Sequence, residues 1–130
     1  MHVDHVAIAV RSIDSAAERL RHLTGYMATT AKVTNSRQKV NVQFLGKPGS
    51  IPIKLIEPSA DDSPLWGSLR KGEGLHHLCF NVADVDEACQ TLVTGGARLL
   101  APPEPGEAFD DHAIAFLYLG LGLNVELIDT

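Results

Sequence analysis

The sequence predicts an α+β fold built from two copies of one βαβββ module, and three observations predict it. First, the chain repeats when shifted by 72 positions: Val10/Val82, Asp14/Asp86, Ala16/Ala88, Leu20/Leu92, Phe44/Phe116, Leu45/Leu117, Leu55/Leu127 and Ile56/Ile128 are identical pairs without a gap. Second, the same order of strand-type and helix-type periodicity runs through both halves. Third, each half carries a capping residue before its helical stretch and glycine after it. One domain over 1–130 is expected, with a first module at about 1–58, a linker at about 59–74 and a second module at about 75–130. A duplicated module packs by a pseudo-twofold rotation, so equivalent positions are expected to converge on one cavity near the axis.

Val3 to Val10 (VDHVAIAV) is a short β-rich run, after which Ser12 offers an N-cap to a helix with Ala16, Ala17, Leu20 and Leu23 as its apolar stripe. Gly25 ends that helix, strands are expected at about Tyr26 to Val33 and at Val40 to Leu45, and the turn at Gly46 to Ser50 leads into IPIKLIEP. Pro58 to Gly74 is polar and turn-rich, with a helical turn around Leu65 to Leu69 that contains the only tryptophan, Trp66. Trp66 is expected to cover an apolar edge or a dimer contact. In the second half LHHLCFNV is a strand, Asp84 caps a helix with Glu87 three positions on, and Gly95-Gly96 stops it. ARLL, AIAFLYLG and LNVELID supply the last three strands.

Bulk properties exclude several classes of function. The net charge is −5, and the 11 lysines and arginines are scattered, leaving no basic stripe to follow a phosphate backbone. Nucleic acid is not an expected partner. No apolar run reaches the roughly 18 residues of a membrane span, and MHVDHVAIAV lacks the basic-then-apolar layout of a signal peptide, so a cytoplasmic protein without membrane contact is expected. Cys79 and Cys89 lack C-x-x-C spacing and are read as buried reduced thiols.

The repeat also pairs the reactive residues, setting His5 on His77 and Lys54 on Glu126. Strand alternation places Val3, His5, Ala7 and Ala9 on one face and Leu75, His77, Cys79 and Asn81 on its equivalent, with Lys54 beside Ile56 and Glu126 beside Asn124 and Ile128. Two histidines, one lysine and one glutamate are therefore expected to meet. A carboxylate in LNVELID has little reason to be buried unless partnered. Gln43 and His112 are expected to line the substrate pocket, with Phe44 and Phe116 as neighbours, and Glu57, on the other face from Lys54, is expected to be solvated.

Four segments carry a family resemblance: DHVAIAV (Asp4 to Val10), IKLIEP with the following DSP (Ile53 to Pro58, Asp62 to Pro64), GEGLHHLCFNVADVDEA (Gly72 to Ala88) and AFLYLGLGLNVELID (Ala115 to Asp129). Together they span nearly the whole chain. The chain resembles the vicinal oxygen chelate superfamily of glyoxalase, bleomycin-resistance and methylmalonyl-CoA epimerase-like proteins, and GLHH with DSP is most similar to the epimerase branch. The resemblance implies a curved, half-open barrel of paired βαβββ modules. It also implies a divalent metal held by His5, the residue at 54, His77 and Glu126. Two imidazoles and a carboxylate suit Zn, Mn, Co, Ni or Fe and leave positions open for a substrate that chelates through neighbouring oxygens.

Position 54 departs from that pattern. A protonated lysine about 4 Å from a divalent ion is repelled by roughly 8 kcal/mol at an effective dielectric near 20. Holding the amine neutral at pH 7 instead costs about 4 to 5 kcal/mol. Lys54 paired with Glu126 and flanked by neutral imidazoles gives a pocket of near-zero net charge, in which the ammonium replaces the metal as electrostatic partner of an anionic substrate. Two further departures concern chemistry. VNVQFL offers Gln43 or Asn41 but no second carboxylate for a two-base epimerisation, and the acidic stretch Pro105 to His112 suits CoA phosphates poorly.

The expected activity is that of a glyoxalase- or epimerase-like isomerase or lyase that moves a proton next to a carbonyl of a small substrate. Glu126 is the expected acid-base group and Lys54 the expected catalytic cation, while His5 and His77 hold a metal or the substrate oxygens. The alternative is a bleomycin-resistance-type protein that sequesters a small molecule without turnover. A homodimer is expected because half-open barrels leave strand edges and apolar rims for a second subunit.

Overall fold

The computed structural model describes residues 1–106, 110 and 112–129. The chain divides into two compact units, one of His5–His76 and one combining Met1–Asp4 with the chain from His77 onward. The elements in order are β1 (His2–Ala9), α1 (Ile13–Thr24), β2 (Met27–Ala28), β3 (Val33–Asn35), β4 (Val40–Gly46), β5 (Ile53–Pro58), α2 (Leu65–Leu69), β6 (Gly74–Asn81), α3 (Val85–Thr94), β7 (Arg98–Pro105), β8 (Ala113–Tyr118) and β9 (Asn124–Ile128). Few helices and a mixed sheet make the class α+β, as the repeat predicts.

In the first unit the strand order is β2-β4-β5-β1, with β3 also on β4. β1 runs parallel to β5, pairing Val6 with Ile53 and Ala7 with Lys54, and β4 runs antiparallel to β5, pairing Phe44 with Lys54. Parallel neighbours need a long crossover, and α1 provides part of it. Ser12 accepts from the Ser15 amide at 3.2 Å, and Gly25, at φ 80°, ends the helix by donating to the Arg21 carbonyl. Ala16, Ala17 and Leu20 pack on Val10, Ile13, Leu45 and Leu55, whereas Leu23, expected in that stripe, is 63% exposed. The strand expected over Tyr26 to Val33 forms only as the short β2 and β3; between them Thr29 still donates to the Phe44 carbonyl at 2.9 Å, but the ladder on β4 is interrupted.

Glu57 corrects the sequence reading. Its carboxylate accepts from the Ile13 amide at 2.7 Å and from the Asn41 side chain at 2.8 Å, so it closes the open N-terminus of α1 instead of standing in solvent.

The second unit repeats the plan. Its order is β6-β9-β8-β7, with β6 parallel to β9 and the other neighbours antiparallel. Asp84 accepts from the Glu87 amide at 3.0 Å and caps α3, whose Val85 and Cys89 pack with Val82, Ala115, Leu117, Val125 and Leu127. On the other face Cys79, Ile114 and Ile128 form a smaller apolar cluster with Phe116. Both cysteines are buried, and neither is in a disulfide. β7 is longer than the ARLL segment predicts: it continues through Pro102 and Pro103 to Pro105, with register shifts against β8. The turn between β8 and β9 carries Leu121 at φ 60° and 97% exposed. No helix among the described residues is long and apolar enough to cross a membrane.

Candidate functional site

Each unit presents one cluster of reactive side chains on the sheet face opposite its helix. In the first unit this face carries His5, Ala7 and Ala9 from β1, Lys54 and Ile56 from β5, and Val42 and Phe44 from β4, as alternation and register require. His5 is fully buried and Lys54 is 3% exposed. The Phe44 ring meets the His5 imidazole edge to face, with centroids 5.0 Å apart at 90°. Ala7 and Phe44 flank Lys54 in the ladder, so the small alanine leaves room beside the long side chain.

The second unit reproduces this arrangement with one change of sign. Phe116 meets His77 edge to face at 5.2 Å and 89°. Cys79 and Phe116 flank Glu126 in the ladder, as Ala7 and Phe44 flank Lys54. His77 is 2% exposed and Glu126 is fully buried, with Nε2 of the imidazole 3.4 Å from Oε1 of the carboxylate. Thus the identities at 5/77 and 44/116 extend to geometry, and Lys54 holds the place that Glu126 holds in its own unit. The structure brings together His77 with Glu126, and sets His5 and Lys54 on adjacent strands with a shared face.

Burying a carboxylate or an ammonium is expensive unless the surroundings compensate it, so both charged residues are held by more than packing. Chemically, His77 with Glu126 is a proton-accepting pair, and Lys54 with His5 is a donor pair suited to an oxygen that gains negative charge.

The fit to a divalent metal differs between the units. Two ligands at about 2.1 Å from one tetrahedral or octahedral ion lie roughly 3.0 to 3.4 Å apart. The 3.4 Å between His77 and Glu126 falls in that range. In the first unit His5 offers a nitrogen ligand, but Lys54 beside it as an ammonium has no lone pair to give and brings a like charge. The pair in the first unit therefore does not fit a divalent metal as the pair in the second does.

One sequence expectation moves. Gln43 pairs in register with Leu55, which puts it on the helix-covered face away from Lys54, where it donates to the Thr30 carbonyl at 3.0 Å. It does not belong with the reactive cluster, because a strand residue shares its face with the residue directly opposite. Asn41, the other polar side chain weighed there, is held by Glu57 and by the Thr34 hydroxyl at 2.8 Å. His112 is half exposed, with Nδ1 3.8 Å from an Asp129 carboxylate oxygen. Of the acidic stretch read between Pro105 and His112, residues 107–109 and 111 lie outside the described residues. Glu57 was missed as a structural carboxylate; its signal is a position one strand-end away from the start of α1, which only topology reveals.

Comparison with known proteins supports the fold and identifies the family. A family model described as Glyoxalase/Bleomycin resistance protein/Dioxygenase superfamily matches residues 4–116. An ethylmalonyl-CoA/methylmalonyl-CoA epimerase from Cereibacter sphaeroides is 33% identical over 118 residues, covering 89% of this chain and 87% of that protein. The crystal structure of methylmalonyl-CoA epimerase from Mycobacterium tuberculosis matches with a TM-score of 0.86 at 30% identity, covering 98% of this chain and 87% of that one. A methylmalonyl-CoA epimerase in complex with methylmalonyl-CoA and NH4+ matches with a TM-score of 0.84 at 30% identity, over 99% of this chain and 94% of the other. On the extent of these matches, the chain belongs to the glyoxalase/bleomycin resistance protein/dioxygenase superfamily.

Proposed function

We propose that this protein is an epimerase-like enzyme that removes and returns a proton at the carbon next to the carbonyl of a small acyl substrate, with a 2-methyl acyl-CoA of the methylmalonyl type as the first candidate. The relatives named as epimerases of such thioesters support the substrate class. The observation that carries the reading is Glu126: a carboxylate with no solvent exposure, against an imidazole at 3.4 Å, flanked along its strand by Val125, Leu127 and Ile128.

In this mechanism Glu126 takes the proton from the carbon, and His77 beside it steadies the carboxylate before transfer and the carboxylic acid after it. Negative charge moves to the carbonyl oxygen as the enolate forms. An oxygen that gains charge needs a cation or an N–H donor, and Lys54 and His5, which share a sheet face in the first unit, are residues of that kind. A related epimerase is described with NH4+ alongside its substrate, and Lys54 would supply an ammonium from the chain itself.

The test is deuterium exchange: racemic methylmalonyl-CoA is incubated with the protein in D2O and label at the substituted carbon is followed by mass spectrometry. Label is expected with the native chain, and Glu126→Gln is expected to lower its rate by about 100-fold or more. Native protein that binds the thioester and adds no label would refute the enzyme reading and favour sequestration.

A further inference from the structure

We infer that Lys54 takes both the place of a metal ligand and the role of the metal's charge, so that this chain works without a divalent ion. The inference deepens the proposed function and rests on it for its chemistry. Its structural ground is the match between the two units. His5 and His77 stand against Phe44 and Phe116 with the same edge-to-face geometry, at 5.0 and 5.2 Å. Phe44 and Phe116 in turn sit beside Lys54 and Glu126 in register.

Within that repeated pattern Lys54 carries the opposite charge to its counterpart Glu126. A lysine 3% exposed, with Ala7 and Phe44 as its ladder neighbours, is not a surface side chain whose amine escapes to solvent. Its ammonium carries three N–H donors and no acceptor, which suits a developing enolate oxygen or a carboxylate and opposes a metal cation. The substrate class follows: a carbonyl compound whose intermediate is an oxyanion, held by a fixed cation rather than by chelation through two oxygens.

Titration with Co(II) alone, followed by calorimetry and by visible absorbance, tests this without any substrate. The native chain is expected to bind Co(II) on the order of 100-fold more weakly than Lys54→Glu, with Lys54→Met between them because it removes repulsion and adds no ligand. Circular dichroism checks each fold. If Lys54→Glu does not fold, Lys54→Met alone decides, and a gain in affinity of about 10-fold is expected. Equal binding by native and variant chains, or near-stoichiometric transition metal in native protein purified without chelators, would overturn the inference. In the exchange assay the native rate is expected to survive EDTA, and loss restored by Co(II) would also overturn it. A native chain that shows no exchange under any condition sinks the proposed function, and the Co(II) titrations still decide the assignment of Lys54.

Discussion

Removing the Glu57 side chain should destabilise the protein well beyond an ordinary surface substitution. Its two oxygens accept bonds at 2.7 Å from the Ile13 amide and at 2.8 Å from the Asn41 side chain, and Ile13 is fully buried. Hydrogen bonds to a charged partner contribute about 1.5 to 3 kcal/mol each, and the half-buried position of Glu57 argues for the low end. A carboxylate at a helix N-terminus adds about 0.3 to 1 kcal/mol. Glu57→Ala is therefore expected to lose about 3 kcal/mol. For 130 residues the unfolding entropy is about 270 cal/mol/K, which converts that loss to a fall in Tm of about 11 °C. Glu57→Gln keeps an acceptor for the Ile13 amide but turns a second amide toward Asn41, and about half the loss is expected. Calorimetry gives Tm, and urea unfolding with an unchanged slope shows that stability alone has moved. A fall of less than about 4 °C for Glu57→Ala would mean that the carboxylate is effectively solvated and that the capping role is wrong.

Two other changes follow from backbone and burial. Leu121 holds φ 60° with its side chain 97% exposed, so Leu121→Gly should relieve about 1 kcal/mol of strain at little loss of contact. After the entropy that glycine adds to the unfolded chain, a rise in Tm of about 2 °C is expected by calorimetry, and a fall would show that Leu121 packs on something in solution. Burial first, and then the charge of Asp86, push the Cys89 thiol above its ordinary value of 9.0. A raised thiol favours the folded state at pH below the unfolded value and loses that contribution as pH rises through the folded one. Iodoacetamide labelling of Cys89 near pH 9.0, read by peptide mass, should lag that of the urea-unfolded chain by at least about 10-fold, and equal rates would contradict the burial.

The parts of this molecule that were legible in the sequence are those fixed by local periodicity and by the repeat. Ser12 and Asp84 cap α1 and α3, and alternation along β1 and β6 puts His5 and His77 on the face that ends up buried. Lys54 and Glu126 follow from the same shift. Where pairing decides, the sequence was weaker. Gln43 and Phe44 are adjacent polar and aromatic residues on one strand, and only the partner opposite each shows that Phe44 belongs beside Lys54. Glu57 looked solvated because α1 is distant in sequence, although the crossover brings the Ile13 amide to its carboxylate. The single strand expected over Tyr26 to Val33 was over-read because exposed residues such as Met27 and Val33 look strand-like throughout, whereas pairing with β4 is confined to the short β2 and β3.

The prolines of β7 give the second unit a border that cannot be extended. Outermost in the order, the strand has Pro102, Pro103 and Pro105 in its run, and a proline there has no N–H to offer on either edge, which removes ladder bonds a further strand would need. Its irregular ladder against β8 twists the same stretch. A chain whose Leu99 and Leu100 are exposed on that strand thus gains a built-in brake on fibril growth, and replacing the prolines would be the shortest route to removing it.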